Sequence, residues 1–148
     1  MLEKQQTIAK AVSISGVGLH TGNETNMTFV PAPENHGIKF VRVDLPEKPV
    51  IDAHLDCVTD LARGTTIGYN GAEVHTVEHV LSALYGMQID NCLVEVDANE
   101  PPVMGGSPAE FAQKLKSAAV AKQSAPPQYI ELDDTIVYHD AEKAIDIV

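Results

Sequence analysis

The chain has 148 residues and a mass of 15.9 kDa; at 44% hydrophobic and 21% charged it fits one folded domain with an aliphatic core, and the composition excludes a disordered polymer. Ten basic against 21 acidic residues give a formal net charge of -11, which repels phosphate backbones and anionic surfaces and excludes nucleic acid as a partner. Cys57 and Cys92 stand singly in apolar settings and read as free thiols, and a polar start, MLEKQQT, with no apolar run of about 20 residues predicts a cytoplasmic chain without leader or transmembrane segment.

From residue 7 to 43, short β-type runs broken by glycine and proline (TIAKAVSI, GVGLHTG, TNMTFVPAP, GIKFVRV) predict a meander of strands. VIDAH at 50–54 and TTIGY at 65–69 are further strand candidates, and Asn70-Gly71 is a two-residue hairpin signal leading into residues 72–74. A helix over 76–85 follows. Thr76 is placed to cap it, Val77, Val80, Leu81 and Leu84 recur at the spacing of a buried stripe, and Gly86 is a natural stop. NCLVEVDA at 91–98 reads as a strand and EPPVMGG as a loop. Ser107-Pro108-Ala109-Glu110 has the pattern of a capping box with proline at the first helical position, and Phe111, Leu115, Ala118 and Ala119 supply the apolar face of a second helix.

QSAPPQ, at 123–128, has the composition of a linker. The runs YIEL, TIVYH and AIDIV after it are β-like, with no helix to cover them. A small sheet cannot bury its apolar face alone, so these runs predict that a second domain begins at Tyr129 and that the chain stops inside it. The expected organisation is an amino-terminal domain over 1–122, a linker over 123–128 and an incomplete second domain over 129–148.

The chemistry concentrates in VHTVEHVLSALYG at 74–86. At about 100° per residue, His75 and His79 lie roughly 40° apart with Glu78 on their flank, while the apolar stripe points the other way. Solvated surface histidines, a metal site and the reversed peptidase motif H-x-x-E-H all remain open. In the peptidase motif both histidines bind zinc and the glutamate acts on water. It needs a third protein ligand, and the next helix offers only Glu110, which the capping box claims; His75 also falls ahead of the cap. Neutral imidazole is a good zinc ligand, and an uncoordinated carboxylate beside it can take a proton from water. His36 and His54 occupy loop and strand-edge contexts and read as solvated.

The longer stretches GVGLHTG and TVEHVLSALYGMQIDNCLVEVDANEPPVMGGSP form an ordered set: TVEH with an apolar helix, G-x-x-I-D-N, a strand, E-x-P-x-M and a glycine-serine helix start. In this the chain resembles, from Gln6 to its end, the zinc-dependent UDP-3-O-acyl-N-acetylglucosamine deacetylases of bacterial lipid A biosynthesis. The resemblance implies a hydrolase that removes the N-acetyl group from UDP-3-O-(3-hydroxyacyl)-N-acetylglucosamine. It assigns His79 as a zinc ligand, Glu78 as the general base and His75 as a bystander. It also places His20 and the stretch Arg63, Gly64, Thr65 and Thr66 near the cleft, where they could touch the UDP-sugar substrate; the structural alternatives are a histidine packed between two glycine turns and a plain turn and strand.

The family's fold implies an α+β two-layer sandwich, a small mostly antiparallel sheet packed on two helices, followed here by the first strands of a second similar domain. The other two zinc ligands come from an H-K-x-x-x-D helix of that second domain, which this chain lacks; His139-Asp140 has the wrong spacing. The missing second domain is then a necessary partner, and the isolated chain is expected to be inactive, since catalytic zinc takes three protein ligands. One position departs from the family: Met104-Gly105-Gly106-Ser107 stands where M-D-G-S is usual, removing a carboxylate beside a helix start. The non-catalytic alternative is a binding fragment that pairs through strand edges after Gln128.

Overall fold

The computed structural model describes residues 4–129 and 131–147. Residues 1–3 of the polar start, Ile130 of YIEL and Val148 of AIDIV lie outside the described residues. In chain order the first elements are β1 (Gln6–Ile8), β2 (Val12–Val17), β3 (Glu24–Pro31), β4 (Ile38–Arg42) and β5 (Val50–Asp52). A 3-10 turn (Leu55–Cys57), β6 (Val58–Asp60), β7 (Thr66–Tyr69), β8 (Ala72–Val74) and α1 (Glu78–Gly86) follow. The remainder is β9 (Cys92–Val96), α2 (Ala109–Ala118), β10 (Val120–Lys122), β11 (Tyr138–Asp140) and β12 (Ile145–Ile147).

The main sheet has the order β2-β3-β9-β4-β5, antiparallel throughout except for the parallel β4–β9 pair. Strand alternation puts Met27 and Phe29 of β3, Phe40 of β4, and Val94 and Val96 of β9 on one face, all fully buried. Both helices cover that face: Val80 and Leu84 of α1 and Phe111 and Leu115 of α2 complete a single core. Phe111 meets Phe29 edge to face, ring centroids 6.4 Å apart, an arrangement that suits the aromatic quadrupoles. This is the α+β two-layer arrangement expected.

A smaller sheet, β6-β7-β8, leads into α1. Tyr69 pairs with Ala72 across Asn70 (φ 50°) and Gly71 (φ 81°), the two left-handed residues of a tight type I′ hairpin, as the Asn-Gly pair predicted. Arg42 joins the sheets, donating to the Glu73 carbonyl at 2.7 Å while its guanidinium forks onto Asp44.

Several local expectations are corrected. TIAKAVSI is two strands, because β1 turns away to pair with β10 (Ile8 opposite Val120) while β2 pairs with β3. Residues 58–60 form β6, where no strand was expected. Helix α1 begins at Glu78, and Thr76 does not cap it. At α2, Ser107 Oγ accepts from Ala109 N–H at 3.3 Å while Glu110 reaches back to Gly105 N–H at 3.1 Å, two residues before the Ser107 N–H that a capping box would use. Ala119 has left the helix, exposed and at φ 58°. TIVYH contributes only Tyr138 and His139 to a strand, and the described residues of YIEL form none.

Gln123 and its neighbours are hydrogen-bonded to the first strands: Gln123 N–H to Gln5 O at 2.9 Å and Gln123 Nε2 to Ala32 O at 2.9 Å. Beyond them, β11 and β12 pair with each other, and Leu132, Ile136, Val137 and Ile147 are exposed. Among the described residues no helix is long and apolar enough to cross a membrane.

Candidate active site

The site forms where β8 turns into α1. Val74 is buried in the core, and His75 N–H donates to Asn99 O at 2.8 Å. Thr76, 7% exposed, then takes φ 54°. That left-handed conformation is rare for a β-branched residue and costs on the order of 1–3 kcal/mol, so the surroundings must hold it. The turn drives Val77 into the core at 0% exposure, with its N–H bonded to Thr65 O at 3.2 Å. Glu78 opens the helix, where a carboxylate is favoured by the helix dipole.

Glu78 is half-buried, and its Oε2 accepts Thr65 N–H at 3.0 Å. Among the described residues Oε1 accepts no hydrogen bond. Gly64 sits against it: a Cβ there would stand 3.2 Å from Oε1. The half-buried His79 follows, and no described residue hydrogen-bonds its ring. An anchored carboxylate with one open oxygen is a proton acceptor, and an imidazole without a hydrogen-bond partner keeps a lone pair to donate.

His75 is not part of that pair. Its Nδ1 lies 3.0 Å from Thr66 Oγ1, a structural hydrogen bond. Arg63 is exposed at φ 61° and turns the chain into Gly64 and Thr65, so of the 63–66 stretch it is Gly64 and Thr65 that meet Glu78. Glu110 is occupied by Gly105 N–H. Among the described residues no three His, Cys, Asp or Glu side chains gather where a metal ion could be held.

His20 is exposed, but its backbone leads to a group the sequence reasoning missed. Glu100 is fully buried, and its carboxylate accepts from His20 N–H (3.0 Å), Thr21 N–H (2.8 Å), Thr21 Oγ1 (2.9 Å) and Thr76 Oγ1 (2.7 Å). Burial pushes its pKa up, but the bonds from the Thr21 amide, the Thr76 and Thr21 hydroxyls and the His20 amide outweigh that and hold it below the ordinary glutamate value. Gly18 lets the loop close on it, since a Cβ there would stand 2.6 Å from Glu100 Oε2. The signal in the sequence was its place as the first residue of E-x-P-x-M, a motif to which the sequence alone attached no role.

Glu78 and His79 thus stand in succession at the start of α1, on an α+β sheet-and-helix layer. Residues 5–148 match the family model described as LpxC: UDP-3-O-acyl N-acetylglycosamine deacetylase, and the chain belongs to that family. It is 51% identical over 148 residues to a bifunctional enzyme LpxC/FabZ of Chlorobaculum tepidum, covering 100% of this chain and 32% of the relative. It is 44% identical over 139 residues to a UDP-3-O-acyl-N-acetylglucosamine deacetylase of Myxococcus xanthus, covering 94% of this chain and 44% of that one. The deacetylase of Methylococcus capsulatus is also 44% identical, over 140 residues, with 95% and 46% covered. The chain thus spans less than half the length of these curated relatives, matching their amino-terminal part.

Proposed function

We propose that this chain is the amino-terminal part of a zinc-dependent deacetylase that removes the acetyl group from UDP-3-O-(3-hydroxyacyl)-N-acetylglucosamine, a cytoplasmic step of lipid A biosynthesis. The observation that carries the reading is the pairing of Glu78, anchored through one oxygen on Thr65 N–H, with the uncommitted ring of His79, in a chain that matches the family over residues 5–148. The donor chemistry fits one corner of a zinc site, an imidazole with no competing hydrogen bond. The remaining ligands we assign to the part of the longer relatives that this chain does not match.

Zinc held in part by His79 would supply Lewis acidity at the acetamide carbonyl. Glu78 would take a proton of the attacking water through its open Oε1 as the water oxygen bonds to the carbonyl carbon, and would return that proton to the nitrogen as the C–N bond breaks, giving a free amine and acetic acid, which ionises to acetate. The His20 loop and the 63–65 turn, which both bond to the start of α1 or to Glu100, would contact the UDP-sugar. The exposed apolar residues of 129–147 support the division into a domain over 1–122, a linker over 123–128 and the first strands of a second domain.

The test uses the protein extended to the length of its relatives. Glu78→Ala should lower turnover by roughly 10²–10⁴-fold, the usual worth of a positioned general base, with zinc content retained; His79→Ala should lose both. Near-normal turnover of Glu78→Ala would remove the role assigned to that carboxylate. The isolated chain should bind zinc weakly against a chelator and release no acetate.

A further inference from the structure

Two segments far apart in sequence meet on one carboxylate. Glu100 takes the backbone of His20 and Thr21 on one side and the hydroxyl of Thr76 on the other, with no arginine or lysine among its partners in the described residues. Thr76 is the strained, left-handed residue from which α1 departs, and the next two residues dock onto Thr65: Val77 N–H on its carbonyl and the Glu78 carboxylate on its amide.

We propose that Glu100 is a positioning residue, which locks Thr76 in its left-handed turn and so fixes where Glu78 and His79 stand, while tying the His20 loop to the same point. This rests on the reading of Glu78 and His79 as the reacting pair and deepens it. Glycine or asparagine adopts this turn without strain; threonine needs a hold. A hydroxyl donating to an ionised carboxylate is a stronger hold than a neutral hydrogen bond. If the bond is removed, Thr76 relaxes toward negative φ, and the first turn of α1 moves relative to Thr65. The backbone donors of His20 and Thr21 cannot reverse, so a glutamine at 100 keeps its oxygen on them and leaves Thr76 a weaker, neutral partner.

The experiment uses this chain, isotope-labelled, as wild type, Glu100→Gln, Thr76→Val and Thr76→Ser. Amide exchange at Thr65 reports the Glu78 anchor, and the His79 ring signals report the second member of the pair. Thr76→Val and Glu100→Gln should each lower Thr65 protection by about tenfold or more and shift the His79 ring, while Thr76→Ser, which keeps the hydroxyl, should stay near wild type. Thr65 and His79 signals unmoved in Thr76→Val overturn the proposal, as does a Thr76→Ser variant as perturbed as Thr76→Val. Should Glu100→Gln fail to fold, Thr76→Val, which keeps the side-chain shape and loses one bond, decides alone. None of these signals depends on turnover, so failure of the deacetylase reading, seen in Glu78→Ala of the extended protein, is a separate result.

Discussion

The Glu78 carboxylate faces Gly64: Oε2 holds the Thr65 amide at 3.0 Å, while Oε1 stands 3.2 Å from the point a Cβ on residue 64 would occupy. Gly64 is not at positive φ, so alanine fits the backbone but brings its Cβ to 3.2 Å from Oε1 and 3.6 Å from Thr76 Oγ1. The carboxylate must give by a few tenths of an ångström and loses alignment with Thr65. In the extended protein Gly64→Ala should lower kcat by about tenfold, since small misplacements of reacting groups are costly. Thermal unfolding should change little. Unchanged kcat would show that the glycine serves the turn alone.

His75 and His79 look equivalent in HTVEH, and the structure separates them. His75 has its ring on Thr66 Oγ1, ahead of the turn at Thr76, whereas His79 lies beyond it on the helix. His75→Ser should therefore cost only the worth of one hydrogen bond, about 1 kcal/mol of stability, with zinc content and turnover nearly intact. Metal analysis and acetate release on the extended protein check this. Equal damage from the His75 and His79 substitutions would favour the H-x-x-E-H peptidase geometry instead.

The core of the fold was legible because period and punctuation are local signals. Val80 and Leu84, Phe111 and Leu115, and the Asn70-Gly71 turn all fall where spacing put them. The start of α1 was misread for a physical reason. A threonine before a helix is by default its cap, and only tertiary contact with Glu100, 24 residues away, draws the hydroxyl elsewhere and makes the left-handed turn tolerable. Glu100 was missed for the same cause: a buried carboxylate is recognisable by its donors, and these come from residues 20, 21 and 76.

Cys92 lies fully buried in the central strand β9, and burial pushes its thiol up to about 12 despite its contact with the Val30 carbonyl. Thiolate is the reactive form, so Cys92 should resist alkylation at pH 8 in the folded chain and react once the chain unfolds. Cys57 is only half-buried, and it should be the first labelled. Mass spectrometry of briefly alkylated peptides tells the two apart. Equal native labelling would contradict the placement of β9 between β3 and β4.

Glu100 also predicts a pH dependence whose sign follows from its surroundings. Its hydrogen bonds hold the folded pKa below the ordinary glutamate value against the pull of burial. An unfolded glutamate titrates near about 4.3, so below that pH the unfolded chain binds a proton that the folded one resists. The ionised carboxylate thus contributes stability that is fully present above about pH 4.3 and is lost as pH falls through the lower folded value. Asp44 is also held low, chiefly by its hydrogen bond from Arg42, but it is common to both proteins and cancels in a difference. Glu100→Gln should therefore be less stable than wild type at pH 7, by about 1–3 kcal/mol for hydrogen bonds to a charged group, and the gap should narrow steadily below about pH 4.3. Urea midpoints at roughly pH 7, 5, 4 and 3.5 measure it. A gap that stays constant across the range would mean that the carboxylate is not held ionised by His20, Thr21 and Thr76, and that its hydrogen bonds act only as neutral contacts.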